Sequence, residues 1–303
     1  MRIPSVSLSL KPQIVDEVRK AVIVYQMGRK LSPLQNDTVQ LSNDAKLQLQ
    51  ANRIFSRSQK FSISDYNSLS KLEKVVLREA SKPCKKAAED SLEVGLKVKE
   101  NLDKKYGENG YVFCSIGTSP AGIARVLEFS GCETKYLPIS RLNWLESIDS
   151  WKEYTDKFSN YEKFLEEQGL SKEQVSKSNK EYLFYDYVQQ GVSLLMFERM
   201  MREHFGLDME NVCFRNMNYL CYSSCAKNID PPQYAIDYVE RYMRDSEIAK
   251  YCGVPHLDIQ EIDKVDECKK FESLQSKMFN FNLIDSLAKK GLLKENSNNK
   301  NSL

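Results

Sequence analysis

The sequence predicts an α/β protein: a mainly parallel sheet flanked by helices, with extra helices towards the amino terminus and a helical insertion between two strands. Three observations predict it. Residues 111–131 (YVFCSIGTSPAGIARVLEFSG) and 181–202 (EYLFYDYVQQGVSLLMFERMMR) each read as a buried strand, a short glycine-bearing loop and an amphipathic helix. A third apolar strand, 134–139, follows the first of those helices almost at once. Strand, helix and strand with such short connections imply a right-handed parallel crossover, which brings both loops to the carboxyl edge of the sheet.

Composition bounds the reading. A chain of 303 residues, 41% hydrophobic, suffices for one large domain with additions or two modest ones. A net charge of +2, from 44 basic and 42 acidic residues, argues against a nucleic-acid footprint and gives no steering to a membrane. No run reaches the roughly 18 apolar residues of a membrane span, and MRIPSVSLSLKPQ lacks the apolar core of a signal peptide. A cytoplasmic location is the expectation. The eight cysteines lack framework spacing and are expected as free thiols. Cys221 and Cys225 with His204 and His256 offer no second pair for zinc, so no protein metal site is expected.

Taken in order, residues 1–65 form a partly irregular amino-terminal segment, in which 12–30 allows one helix and 62–66 resembles a helix entry. Residues 66–285 make the α/β domain. Helices are expected at 72–79 and 92–102, separated near Pro83. After the strand 111–116, Ser119 is expected at the N-cap and Pro120 at the first helical position, with Gly131 stopping the helix. The insertion, 142–180, is charged and aromatic and suggests helices at 151–168 and 171–178, with Lys152, Lys157 and Lys163 as solvated charges or diphosphate contacts. Residues 211–218 read as a further strand, 219–232 as irregular, 234–243 and 273–293 as helices, and 286–303 as a polar tail.

Both loops have the character of a phosphate cradle. A helix start carries unpaired N–H groups and the positive end of the dipole, and a glycine in the loop permits close backbone approach. Asp186 stands where its strand ends, and Ser193 can cap the next helix or give its hydroxyl to a ligand. Arg141 follows a strand at the same edge, where it can hold phosphate oxygens by paired hydrogen bonds. A plain turn would need the same glycine or cap, so a Rossmann-like domain with two ordinary turns is the alternative.

This order of parts resembles a type I phosphoribosyltransferase over residues 111–218, about a third of the chain. In that family the second loop carries hydrophobic residues, two adjacent acids, and then Thr-Gly-x-Thr or a close variant. Here Tyr185-Asp186-Tyr187-Val188-Gln189-Gln190-Gly191-Val192-Ser193 lies on that pattern, with Tyr185 replacing the first acid and Gln190 the usual threonine. The resemblance implies a phosphoribosyltransferase-like fold and a phosphorylated ribose or nucleotide as ligand. Gly117, Thr118 and Ser119 would cradle diphosphate, accompanied by Mg2+, and Arg141 would neutralise it. Gln189, Gln190, Gly191, Val192 and Ser193 would hold the 5′-phosphate, and Asp186 would bond the ribose hydroxyls. The activity implied is glycosyl transfer in nucleotide metabolism, a transferase moving phosphoribosyl to a nitrogen base. Asp186 and Arg141 are its catalytic candidates. A non-catalytic sensor of a nucleotide or sugar phosphate is the alternative, and the loss of the first acid speaks for it. An enzyme acting on another phosphorylated substrate is a third reading. Tyr219, Tyr222 and Asn228 are candidate base contacts and His256 a candidate acid or base. The acceptor is not written in any motif, and an oligomeric assembly stays open.

Overall fold

The computed structural model describes residues 42–118, 120–139, 150–186, 192–216, 251, 257–269 and 272–294. Within them the chain runs through α1 (Asn43–Phe55), α2 (Ile63–Ser68), α3 (Lys71–Ala80), α4 (Lys85–Tyr106), β1 (Tyr111–Ile116), α5 (Ala121–Phe129), β2 (Glu133–Leu137), α6 (Phe158–Glu167), α7 (Lys172–Ser176), β3 (Glu181–Asp186), α8 (Val192–Glu203), β4 (Val212–Asn216) and α9 (Leu274–Lys290). Short 3-10 turns lie at Lys82–Cys84, Ser150–Lys157 and Ile259–Lys269. No described helix is long and apolar enough to cross a membrane.

The chain separates into two units, Met1–Arg57 with Ser70–Ala80, and Ser58–Leu69 with Ser81–Leu303. In the first, α1 packs on α3. The Ser42 hydroxyl accepts from the Ala45 N–H at 3.2 Å and starts α1, a helix with too little apolar periodicity to be foreseen. A reciprocal pair, Glu73 N–H to the Ser70 hydroxyl and Ser70 N–H to the Glu73 carboxylate, starts α3.

The second unit is built on a four-stranded sheet of order β2-β1-β3-β4, parallel throughout. Its central strand β1, YVFCSI, is buried at every residue, as a strand covered on both faces must be. Val112, Cys114 and Ile116 face a core shared with Leu137, Phe184, Trp151, Phe158, Tyr161, Phe164, Phe197 and Met200. The helices over this face are therefore α6, α7 and α8. The other face, carrying Phe113, Ser115 and Tyr136, meets α5, whose Arg125 lies 4.5 Å from the Tyr136 ring centre. The β1–β2 and β3–β4 crossovers run to opposite sides of the sheet and use opposite faces, as right-handed connections require. The insertion is part of the same rule: α6 and α7 carry the chain from β2 over β1 to β3. Its lysines lie outside that packing, Lys152 beside Glu203 at 3.5 Å and Lys157 donating to the Gln260 carbonyl at 2.8 Å.

Beyond α5, the helix α4 crosses so closely that a Cβ on Gly95 would lie 2.6 Å from Val126 Cβ. Behind them α9 is buried along most of its length, and two of its buried polar residues reach partners on other elements. Asp285 accepts from the Tyr66 hydroxyl at 2.9 Å, and Asn282 donates to the Ser81 carbonyl at 2.9 Å.

Gly95→Ala is expected to lower stability to urea by about 1–3 kcal/mol through overpacking, although alanine's helix propensity alone would add about 1 kcal/mol. Glu100→Ala, on the exposed side of the same helix, should stay within about 0.5 kcal/mol of wild type. Equal stability of the two variants would mean that α4 and α5 part without cost.

Glu133, at the amino edge of β2, lies 2.8 Å from Lys180 and 3.2 Å from Lys135. Burial pushes its carboxyl up, but the hydrogen bond from Lys180 and the charges of both lysines outweigh burial and leave it below the ordinary value. The ionised group therefore stabilises the fold above its unfolded pKa of about 4.3, and that contribution is lost as pH falls through the lower folded value. Glu133→Gln should be less stable than wild type at pH 7, and the gap should close on acidification. A gap that persists at low pH would refute the assignment.

Candidate functional site

Strand order determines where a ligand can sit. The connection leaving β1 goes to β2 on one side, and the connection leaving β3 goes to β4 on the other, so the chain diverges between the carboxyl ends of β1 and β3. In open α/β sheets this divergence opens the binding crevice. The two loops singled out in the sequence leave these two strands.

The first loop departs at Gly117, whose φ of 65° lies in the left-handed region that favours glycine. Its N–H is already given to the Leu137 carbonyl at 2.8 Å, which ties the loop to the end of β2. Thr118 is buried, and its carbonyl accepts from the Ala121 N–H at 3.1 Å. α5 starts at Ala121 with Pro120 in the cap position, one residue later than expected from the sequence, and the Ala124 N–H donates to the Pro120 carbonyl at 2.9 Å. No acid stands in the first turn of α5. Ser119 and Arg141 lie outside the described residues.

At the second loop, Asp186 is the last residue of β3 and is half-buried. It shares the face of Tyr182 and Phe184, towards α8. Val192 opens α8, and the half-buried Ser193 follows within its first turn, inside the helix instead of at the cap. This helix too begins without an acid. Gln189, Gln190 and Gly191 lie outside the described residues, as do Tyr219, Tyr222, Asn228 and His256. The structure thus brings Gly117, Thr118, Asp186, Val192 and Ser193 to one edge.

Tyr185, which stands where the first acid would be, turns the other way. Its ring stacks on Phe113 with centroids 4.8 Å apart and planes at 13°. Its register partner on β4 is Arg215, a half-buried residue that the sequence reading passed over. Only cross-strand register exposes it, because nothing in VCFRN distinguishes an arginine at a sheet edge from one on any solvated strand.

The expectation of Mg2+ is overturned. Among the described residues, no group of three or more His, Cys, Asp or Glu side chains converges to hold a metal ion. Many of the acids are committed elsewhere: Glu128 and Glu272 to Arg125 at 3.0 Å each, Glu133 to its two lysines. Burial pushes the Cys114 thiol well up at the centre of the sheet, away from the reactive thiolate form. His204 makes edge contacts with Trp151, Phe158 and Phe205, away from the carboxyl edge.

No protein-family profile, no curated protein and no solved structure matches the chain. What stands is an α/β fold with a four-stranded parallel sheet flanked by helices, of a kind that serves many ligands.

A double-mutant cycle with Tyr185→Leu and Phe113→Leu should return a coupling of about 0.5–1.5 kcal/mol, the value of a stacked pair beyond its burial. Additive losses would show that the two rings merely share a core.

Proposed function

We propose that this chain binds a phosphorylated ribose, with phosphoribosyl diphosphate the first ligand to test, in the crevice between the loops that leave β1 and β3. One observation carries the reading: the strand order β2-β1-β3-β4 puts the divergence of the chain at the two loops whose sequences read as phosphate cradles. Helices α5 and α8 both begin there without a competing acid, so the positive ends of two dipoles face the ligand's phosphates. Asp186 is the hydrogen-bond acceptor for the ribose hydroxyls. Gly117 acts in this reading through its backbone shape, its N–H being engaged.

Transfer of phosphoribosyl to a nitrogen base is the stronger claim. Such a reaction develops positive charge on the sugar while diphosphate departs, and it proceeds mostly by positioning and electrostatics. The stacking of Tyr185 on Phe113 leaves Asp186 without an adjacent acid. That favours a second reading, a protein that binds and senses the sugar phosphate without turning it over.

Thermal unfolding with and without millimolar phosphoribosyl diphosphate tests binding. Ligand at a hundred times its dissociation constant should add about 2.7 kcal/mol to the folded state. Asp186→Asn keeps the shape of the side chain and should bind about ten-fold or more weakly, as the loss of a charged hydrogen bond predicts. No shift with wild type would end the proposal. Release of diphosphate in the presence of nucleobases separates transfer from sensing.

A further inference from the structure

Register aligns one row across the sheet just below its carboxyl edge. Tyr136 of β2 pairs with Ser115 of β1, Ser115 with Tyr185 of β3, and Tyr185 with Arg215 of β4. All four side chains stand on the α5 face, on strands about 4.8 Å apart. Two of them have unspent polar groups. The Ser115 hydroxyl is fully buried with no hydrogen-bond partner. No hydrogen bond or ion pair reaches the half-buried Arg215 among the described residues.

Arg215 is an exception among its kind. Arg125 pairs with Glu128 and Glu272, Arg202 pairs with Glu198 and Asp208, and Arg78 and Arg199 also have partners. These are the other half-buried arginines described. A cation partly withdrawn from water without a counter-charge is costly to the fold, and this one stands at the ligand edge. Residue 185 explains how it stays available. An acid there would lie directly across from Arg215 and neutralise it. A tyrosine stacked on Phe113 offers it no counter-charge from β3.

We propose that Arg215 is an anion-binding residue of the crevice, holding a phosphate group of the ligand beside the Tyr185 ring. This rests on the crevice reading given above and adds to it a position on the α5 face that neither loop supplies. The planar guanidinium suits two oxygens of one phosphate by parallel hydrogen bonds. Bound this way, Arg215 is a specificity residue for the number of phosphates, independent of whether transfer takes place.

The experiment is isothermal titration of the full chain with inorganic diphosphate and, separately, with phosphoribosyl diphosphate at constant ionic strength. The proteins are wild type, Arg215→Gln, Arg215→Lys, Asp186→Asn and Arg53→Gln. Arg53 is an exposed residue of α1, so its variant loses the same charge from a different place. Arg215→Gln should bind diphosphate about ten- to hundred-fold more weakly, Arg215→Lys should fall between, and Arg53→Gln should match wild type. Because no hydrogen bond or ion pair reaches Arg215 among the described residues, the glutamine variant should unfold at or above the wild-type temperature. Equal affinity in wild type and Arg215→Gln overturns the proposal, and so does a loss of folding that accounts for the loss of binding. Arg215-dependent binding of diphosphate without Asp186-dependent binding of phosphoribosyl diphosphate sustains the subsite and rejects the ribose reading. Asp186-dependent binding with Arg215 silent does the reverse. Failure of both probes to bind wild type rejects both.

Discussion

Everything in the larger unit follows from the burial of β1. With all six residues out of water, each of its backbone N–H and C=O groups must be paired, because an unpaired one in an apolar interior costs as much as a lost hydrogen bond. Pairing on one edge alone would leave the other edge unsatisfied. β1 therefore has β2 on one side and β3 on the other, and both partners run parallel to it. Parallel neighbours need crossover connections, and right-handed crossovers to opposite sides need opposite faces. The helices α5 and α8 are thereby assigned to different faces, and the ends of β1 and β3 become the place where the chain diverges. The site is a consequence of covering one strand.

The two covered faces differ in chemistry. On the α8 side the layer is aromatic and aliphatic, with Phe184 stacked on Phe214 at 4.9 Å and Phe197 edge-on to Phe214. On the α5 side a buried ionic group joins three parts of the unit. Arg125 binds Glu128 on its own helix and Glu272 ahead of α9, Tyr136 donates to Glu128 at 2.6 Å, and Glu272 also accepts from the Phe61 N–H and from Asn280. Burial works against the Arg125 charge, yet Tyr136 and the two carboxylates overcome it and raise its pKa. Such a network adds little to net stability compared with a well-packed apolar substitute, but losing one member strands the others. Its effect is geometric: it holds α9 and the segment before α2 against α5.

The features legible in the sequence were those written in continuous apolar runs. YVFCSI and EYLFYD, the helix after each, and the long amphipathic helix near the carboxyl end all stand where periodicity indicated. Pro83 indeed interrupts the chain, inside the 3-10 turn that precedes α4. What periodicity does not carry was missed. The start of α5 lies one residue later than expected, because cap position is decided by local backbone geometry and not by the apolar pattern. α1 escaped notice because its buried residues, Ala45, Ala51, Ile54 and Phe55, are few and small at one end. The insertion looked like an excursion because a crossover over an intervening strand is written as any helical stretch is. At the carboxyl edge, the positions of Asp186, Ser193 and Gly117 were legible from the strand-to-helix pattern. Arg215 was not, since its meaning depends on which residue lies across from it.

Asp186 and Arg215 belong to adjacent strands, one register step apart, since Asp186 pairs with Asn216 and Tyr185 with Arg215. Consecutive residues of a strand point to opposite faces, so the acid faces the α8 side and the base the α5 side. They are close in the sheet but separated by its thickness, and they do not cancel one another. The carboxyl edge is therefore polar along a defined direction. A ligand that carries hydroxyls at one end and an anion at the other gains from both groups in one orientation and loses from both in the reverse. In the proposed reading, an edge of this kind would set the direction in which a sugar phosphate enters. The sheet keeps the two charges apart, and Tyr185, stacked on Phe113, puts a ring where an acid would lie directly across from Arg215.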